Sequence, residues 1–353
     1  MKYPALVISK DKLYHNANSI ISKCHQNNIK VAAVTKVFCA ENSITEIILD
    51  AKPDFLADSR VENLKKLQKY DIPKMLLRIP MISQVNEVVK YADISFNSEI
   101  ETIFKLNDAA LERHNIHNIL LMIDLGDLRE GIWYKNFIEY IEPVFKLKNI
   151  NVIGIGVNLT CYGGVIPKPE NLSQLLDFAN AIGQKYGKKI EIISGGNSSS
   201  LYLVYENKFP EGINQLRLGE SIVLGRETAF GNPVPDTYDD AFKLVVEIVE
   251  LKEKPSVPIG EIGMDAFGNK PTFVDKGIIK RAICGIGKQD ITLDGIIPYD
   301  DKIEILGGSS DHLILNVSNS QQNYKVGDKI EFKLTYGGLL AASTSNYVNK
   351  IVV

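Results

Sequence analysis

Residues 31–36 read VAAVTK, an apolar run of small and β-branched side chains that ends in an amine, Lys36. Several other polar groups stand in the same way, at or just past an apolar run. Arg129 follows one in MIDLGDLREGI, and Asn158 and Thr160 close VIGIGVNLT. SGGNSSS (194–200), which includes Asn197 and Ser198, follows another, and Arg217 and Gly219 lie in LRLGES (216–221). A lysine amine can hold a carbonyl compound as a Schiff base and move protons. Glycines let backbone N–H groups approach an anion closely, and serine hydroxyls add donors. Taken singly, each has a plain structural reading. A strand-end lysine reaches solvent, SGGNSSS is a loop, and Arg129 among Asp124, Asp127 and Glu130 is a solvated ion-pair cluster. Arg217 is harder to dismiss, because a guanidinium in an apolar strand needs partners.

The elements that carry these groups alternate. Short β-rich runs occupy 31–36, 55–59, 74–79, 93–97, 118–126, 152–160, 189–196 and 214–220. Stretches with helical periodicity lie between them, among them 41–51, 60–69 and 170–186. Several strands are almost continuously apolar, as expected when both faces are buried. Eight strands in βα alternation over this length predict a closed parallel (β/α)8 barrel; a doubly wound sheet would use five or six. In such a barrel the active site lies at the carboxyl ends of the strands, and the loops after strands seven and eight often bind phosphate. Lys36, Arg129, Asn158, SGGNSSS and Arg217 all fall at that end. Their convergence points to a phosphorylated carbonyl compound held as a Schiff base, with pyridoxal 5′-phosphate the obvious candidate.

Near residue 235 the rhythm changes at GNPVPDTYDD, a Pro/Gly/Asp-rich joint. It divides a barrel domain, 1–235, from a C-terminal all-β domain, 236–353. The β-rich runs of the second domain are 241–251, 278–286, 302–306, 312–318 and 329–335. An early run, 4–9, belongs to no βα unit and is expected to pair with that second domain.

Bulk properties exclude other classes. The net charge is −3, which lacks the basic footprint of a nucleic-acid binder. No apolar run approaches the ~20 residues of a membrane span, and the N-terminus carries no signal-peptide core. Cys24, Cys39, Cys161 and Cys284 are scattered, without the paired spacing of a zinc site or disulfide framework. A cytosolic protein without a metal is expected.

Across nearly its whole length the chain resembles the fold-type III pyridoxal-phosphate racemases, in particular their alanine/ornithine racemase branch. The stretches that carry the resemblance include VTKVFCAE, LADSRVENLKKL, LMIDLGDLREGIW, GVNLTCYGGVIP, EIISGGNSSSL, LRLGESIVLGRETAFG, PIGEIGMDAFGNKP and EILGGSSDHLIL. The resemblance implies that Lys36 carries the cofactor and acts as acid and base on one face of the substrate. It places Arg129 near the cofactor's phenolic oxygen, Asn197, Ser198, Gly219 and Tyr336 around its phosphate, and Arg217 opposite the pyridine nitrogen. An arginine does not give up its proton, so that nitrogen stays unprotonated and the electron sink is weakened. Decarboxylases on the same barrel place a glutamate there in an EPG-type motif, which LRLGE lacks; decarboxylation of a basic amino acid is the alternative reading.

Two departures from the alanine racemase pattern leave the second acid/base open. The family's tyrosine in a GYADG stretch is replaced here by Glu261 in GEIGMD, and Ala40 stands where KANAY has its tyrosine. Glu261, Asp311, His312, Tyr162 and Cys161 are the candidates for the opposite face, and His312 is equally readable as a structural histidine that begins a strand. An acidic Glu261 or Asp311 suits a substrate with a distal ammonium, which favours ornithine over alanine, with lysine a further possibility. The resemblance also implies a homodimer with shared active sites.

Overall fold

The computed structural model describes residues 2–265 and 267–353. Strand β1 (Ala5–Ile8) comes first, but its partners lie at the far end of the chain. The barrel strands then follow in order: β2 (Lys30–Val34), β3 (Phe55–Asp58), β4 (Lys74–Leu76), β5 (Ile94–Asn97), β6 (His117–Asp124), the short β7 (Ile132–Trp133), β8 (Ile150–Val157), β9 (Ile192–Ser194) and β10 (Gln215–Leu218). All pair in parallel, in the order β5-β4-β3-β2-β10-β9-β8-β6, with β7 beside β6. Pairing between β5 and β6 closes the ring, so eight strands form a barrel with no free edge. The expected (β/α)8 barrel is the fold found.

Period two along these strands decides what fills the barrel. Ala32, Val34, Phe55, Ala57, Met75, Ile94, Phe96, Leu120, Met122, Ile153 and Ile192 form one buried cluster. The barrel interior is thus a packed core, in which branched, aromatic and small side chains interleave. On β10, Gln215 and Arg217 project with the same period, and Arg217 lies level with Ala32 of β2. A small neighbour leaves room for the guanidinium.

The chain divides into two compact units, residues 11–239 and residues 1–10 with 240–353. The second is a sheet unit built of β11 (Phe242–Pro255), β12 (Ile278–Cys284), β13 (Ile296–Pro298), β14 (Glu304–Gly308), β15 (Leu313–Asn316), β16 (Lys329–Leu334) and β17 (Asn349–Val352). Its order is β13-β16-β11-β12-β15-β14, all antiparallel, while β1 pairs antiparallel with β11 and parallel with β17. This unit also carries the α-helix Tyr336–Thr344, in a stretch without helical periodicity in the sequence. Among the described residues no helix is long and apolar enough to cross a membrane.

Candidate active site

Lys36 stands two residues beyond β2, as the first residue of a 3-10 turn, Lys36–Phe38, and is exposed. The turn is held from behind. Thr35 is fully buried; its N–H donates to the Ala57 carbonyl at 2.9 Å and its hydroxyl to Asp58 Oδ2 at 2.6 Å. Asp58 also accepts from the Arg60 N–H at 2.9 Å and Asn63 Nδ2 at 3.1 Å. Its burial pushes its carboxyl above the ordinary range, against the pull of these donors. The backbone on either side of Lys36 is therefore fixed by buried hydrogen bonds that do not use its amine.

Arg217 is buried at the end of β10, stacked 5.0 Å from the Phe96 ring. Its Nη1 donates to Ser194 Oγ, and its Nη2 to the Val157 carbonyl at 2.7 Å and Asn158 Oδ1 at 3.4 Å. Burial pulls the guanidinium down to about 10, with Glu130 and Cys161 pulling it back, so it remains a cation at neutral pH. Those three bonds use only part of a five-donor fork.

Asn158 ties this centre to its neighbours. Its Oδ1 accepts from Asn197 Nδ2 at 2.8 Å, and its own Nδ2 donates to Glu130 Oε1 at 3.4 Å. Glu130 in turn takes both Nε and Nη2 of Arg129. Arg129, Asn158, Asn197 and Arg217 thus form one polar network, with Glu130 as the carboxylate that balances the two cations. Ser198 lies beside it, with its hydroxyl 3.0 Å from Ser221 Oγ and accepting from the Ser221 N–H at 3.2 Å. Gly219 precedes the short helix Glu220–Leu224 against β2; a Cβ there would stand 3.1 Å from the Val34 Cβ.

Asp127, 1% exposed, organises the rim. Its carboxylate accepts from the N–H groups of Thr160, Cys161, Tyr162 and Val165 at 3.0 to 3.2 Å. Burial raises its carboxyl, but these backbone donors outweigh burial and hold it below the ordinary value. With the folded value depressed, the stabilisation is complete above the unfolded pKa and is lost as pH falls through the folded one. Asp127→Asn is expected to cost about 1–3 kcal/mol at neutral pH, and the gap from the parent should narrow under acid. Denaturant unfolding of both proteins across acidic pH checks this.

The remaining sequence candidates fall on a loop of the barrel unit and in the sheet unit. Tyr162 and Cys161 are exposed on the loop that Asp127 holds, and Cys161 Sγ is 3.2 Å from Asn197 Nδ2. Asp311 and His312 pair with each other at 3.0 Å, between β14 and β15 of the sheet unit. Glu261 is exposed in the same unit, between β11 and β12, where no helix or strand occurs among the described residues. Tyr336 is half-buried as the first residue of the helix Tyr336–Thr344, whose cap is the Thr335 hydroxyl, accepting from the Gly338 N–H at 3.2 Å. Among the described residues no three His, Cys, Asp or Glu side chains gather as a metal site would require. Sequence reasoning gave no role of their own to Asp127 and Glu130, read there as part of a solvated ion-pair cluster, or to Ser194 and Ser221, which lie within SGGNSSS and LRLGES.

Residues 8–227 match the family profile described as alanine racemase, N-terminal domain. The chain belongs to the alanine racemase family. It is a racemase by that membership, and two curated relatives match it end to end. An ornithine racemase of Acetoanaerobium sticklandii is 52% identical over 349 residues, 99% of each chain. A lysine racemase of Thermotoga maritima is 41% identical over 353 residues, again 99% of each. Among solved structures, an alanine racemase of Clostridium difficile 630 superposes with a TM-score of 0.75 at 19% identity, covering 100% of this chain and 96% of that one. One from Bartonella henselae, described with covalently bound pyridoxal phosphate, gives 0.74 at 15% identity and full coverage of both chains.

The family implies pyridoxal phosphate, and the residues fit it. A ring nitrogen acceptor would meet a buried guanidinium with donors in hand at Arg217. A phosphate would meet the hydroxyls of Ser198 and Ser221, with Asn197 and the glycines 195 and 196 alongside.

Proposed function

We propose that the chain is a pyridoxal-phosphate-dependent racemase that interconverts L- and D-ornithine. The observation that carries this reading is the 52% identity with an ornithine racemase over 99% of both chains. Pyridoxal phosphate held there would supply the electron sink that makes the amino acid's α-proton removable. Lys36 then takes or returns that proton on one face. Arg217 would donate a hydrogen bond to the ring nitrogen without surrendering its proton. Arg129, kept in place by Glu130, would serve the phenolic oxygen. Asn158 links these two cations, and Asn197, Ser198 and Gly219 would hold the phosphate; the resemblance gives Tyr336 a phosphate-binding role as well. The opposite face is served by a residue of the GEIGMD or SSDH stretches, with Glu261, Asp311 and His312 as the groups able to exchange a proton. An acidic residue there also suits the distal ammonium of ornithine.

Two copies are expected to form a homodimer that completes these sites. Support comes from the stretch around Glu261, where Ile259 is 91% exposed and Met264 79%. Apolar side chains left so bare favour burial against a second copy. Sedimentation should find twice the 39.3 kDa chain mass, and an active monomer would refute the shared-site reading.

Substrate choice is tested with L-ornithine, L-lysine and L-alanine, following formation of the D-enantiomer. Lysine adds one methylene, which a pocket discriminates by roughly 10–200-fold. Alanine lacks the ammonium and should be disfavoured by about 10⁴ in kcat/KM. The 41% identity with a lysine racemase makes lysine the natural competitor. A preference for lysine or alanine would reject the ornithine assignment. Release of a diamine would reject racemisation in favour of decarboxylation.

A further inference from the structure

Lys36 sits on a strained turn. Cys39 and Ala40, just beyond it, both adopt left-handed backbone, with φ of +55° and +52°. A residue with a Cβ avoids that region, and two in succession stay there only where their surroundings over-determine the backbone. One residue gathers those constraints. The Thr35 carbonyl accepts from the Phe38 N–H at 3.3 Å and from the Ala40 N–H at 3.2 Å, which closes the turn around Lys36. Its N–H and hydroxyl point the other way, to the Ala57 carbonyl at 2.9 Å and Asp58 Oδ2 at 2.6 Å. Asp58 is itself fixed, because its Oδ1 accepts from the Arg60 N–H and from Asn63 Nδ2. Thr35 therefore joins β3 on one side to the turn on the other, and it is fully buried. Lys66 closes the far end, with its amine 3.0 Å from the Cys39 carbonyl oxygen.

We propose that Thr35 is a positioning residue for Lys36, its hydroxyl bond to Asp58 latching the strained turn that aims the lysine. The amine ends a flexible four-carbon stem, so its placement has to be set by the backbone from which the stem starts. Relaxation of Cys39 and Ala40 out of the left-handed region would pull on the Thr35 carbonyl, and through it on Lys36. A short hydroxyl bond in a water-poor interior resists that pull at Thr35 itself. Glycine at either position would adopt the same backbone without strain, and the turn would then need no latch. The inference rests on the reading of Lys36 as the residue that carries the cofactor, but its test does not depend on turnover.

The test is the kinetics of pyridoxal phosphate attachment to Lys36 in the full chain freed of cofactor. The amine condenses with the cofactor's aldehyde with loss of water, and borohydride reduction at intervals fixes the bond for mass spectrometry. The limiting rate at saturating cofactor reports how well the amine is aimed, and the half-saturating concentration reports cofactor binding. Thr35→Val keeps the shape of the side chain and removes the hydroxyl. It should lower the limiting rate about tenfold with the half-saturating concentration unchanged, since misplacing a reacting group by about 1 Å costs up to roughly 10²-fold. Thr35→Ser should hold the parent's rate. Ala40→Gly added to Thr35→Val should recover most of the loss. Amide hydrogen exchange over residues 36–41 should quicken in Thr35→Val and return to the parent's level in Thr35→Ser. Asp58→Asn, which replaces one acceptor by a donor, should show the same changes in smaller measure and serves if Thr35→Val does not fold. A merely structural threonine would raise the half-saturating concentration and leave the limiting rate untouched. That result would overturn the proposal, as would the absence of any rescue by Thr35→Ser or by Ala40→Gly. If no cofactor attached to Lys36 in the parent, the reading of Lys36 would fail, while the exchange comparison would still decide the latch.

Discussion

Lys36→Ala is expected to abolish exchange of the substrate α-proton, with a loss of at least ~10³-fold. It should also leave no cofactor covalently attached after borohydride reduction. The fold should survive, with stability within about 0.5 kcal/mol of the parent, because Lys36 is exposed and the turn that carries it is held elsewhere. Thr35 and Asp58 keep their buried bond, and the Cys39 N–H still reaches the Lys36 carbonyl at 3.2 Å. Racemisation by a folded Lys36→Ala protein would remove the amine from the chemistry. Partial recovery on addition of a small primary amine would instead show that the missing group is what the reaction lacks.

The second large effect is expected at Arg217, where stability and activity should fall together. Arg217→Met would leave the Val157 carbonyl without a donor it now holds at 2.7 Å, and the Ser194 hydroxyl without its cation. Acceptors stranded in a water-poor barrel and a lost stack on Phe96 together cost about 2–4 kcal/mol. Exchange of the α-proton should drop by roughly 10²–10³, the effect of losing one preorganised charge at a reacting group. Arg217→Lys keeps the charge but not the fork, and should restore stability more than rate. Thermal melts and exchange rates on both variants separate the two roles. An Arg217→Met protein as active as the parent would contradict any part for this residue in the reaction.

Why some of this was legible in the sequence and some not follows from what each residue is surrounded by. Parallel barrel strands are buried on both faces, so they read as apolar runs, and eight such runs with helical stretches between them leave few folds to choose from. Lys36 and Arg217 stood out for the same reason: a cation at the end of, or inside, an apolar run demands an explanation. Glu130 and Asp127 did not. Each is an acid among other charges in a loop or at a strand end, and in one dimension that pattern equals a solvated surface. Only the fold reveals that Asp127 gathers four backbone donors and that Glu130 joins Arg129 to Asn158. The helix Tyr336–Thr344 was hidden by the glycines 337 and 338, which suggest a turn. Gly338 is there for close packing, since a Cβ would fall 2.1 Å from the Gly295 carbonyl oxygen.

The most direct test is a proton NMR time course in D₂O, with the full chain, pyridoxal phosphate and L-ornithine, followed by chiral analysis of the same tube. The expected result is loss of the α-proton signal with the carbon skeleton intact, D-ornithine approaching equal amounts with L, and neither change with Lys36→Ala. An unchanged α-proton signal across ornithine, lysine and alanine, in protein that has bound the cofactor, would contradict the racemase reading.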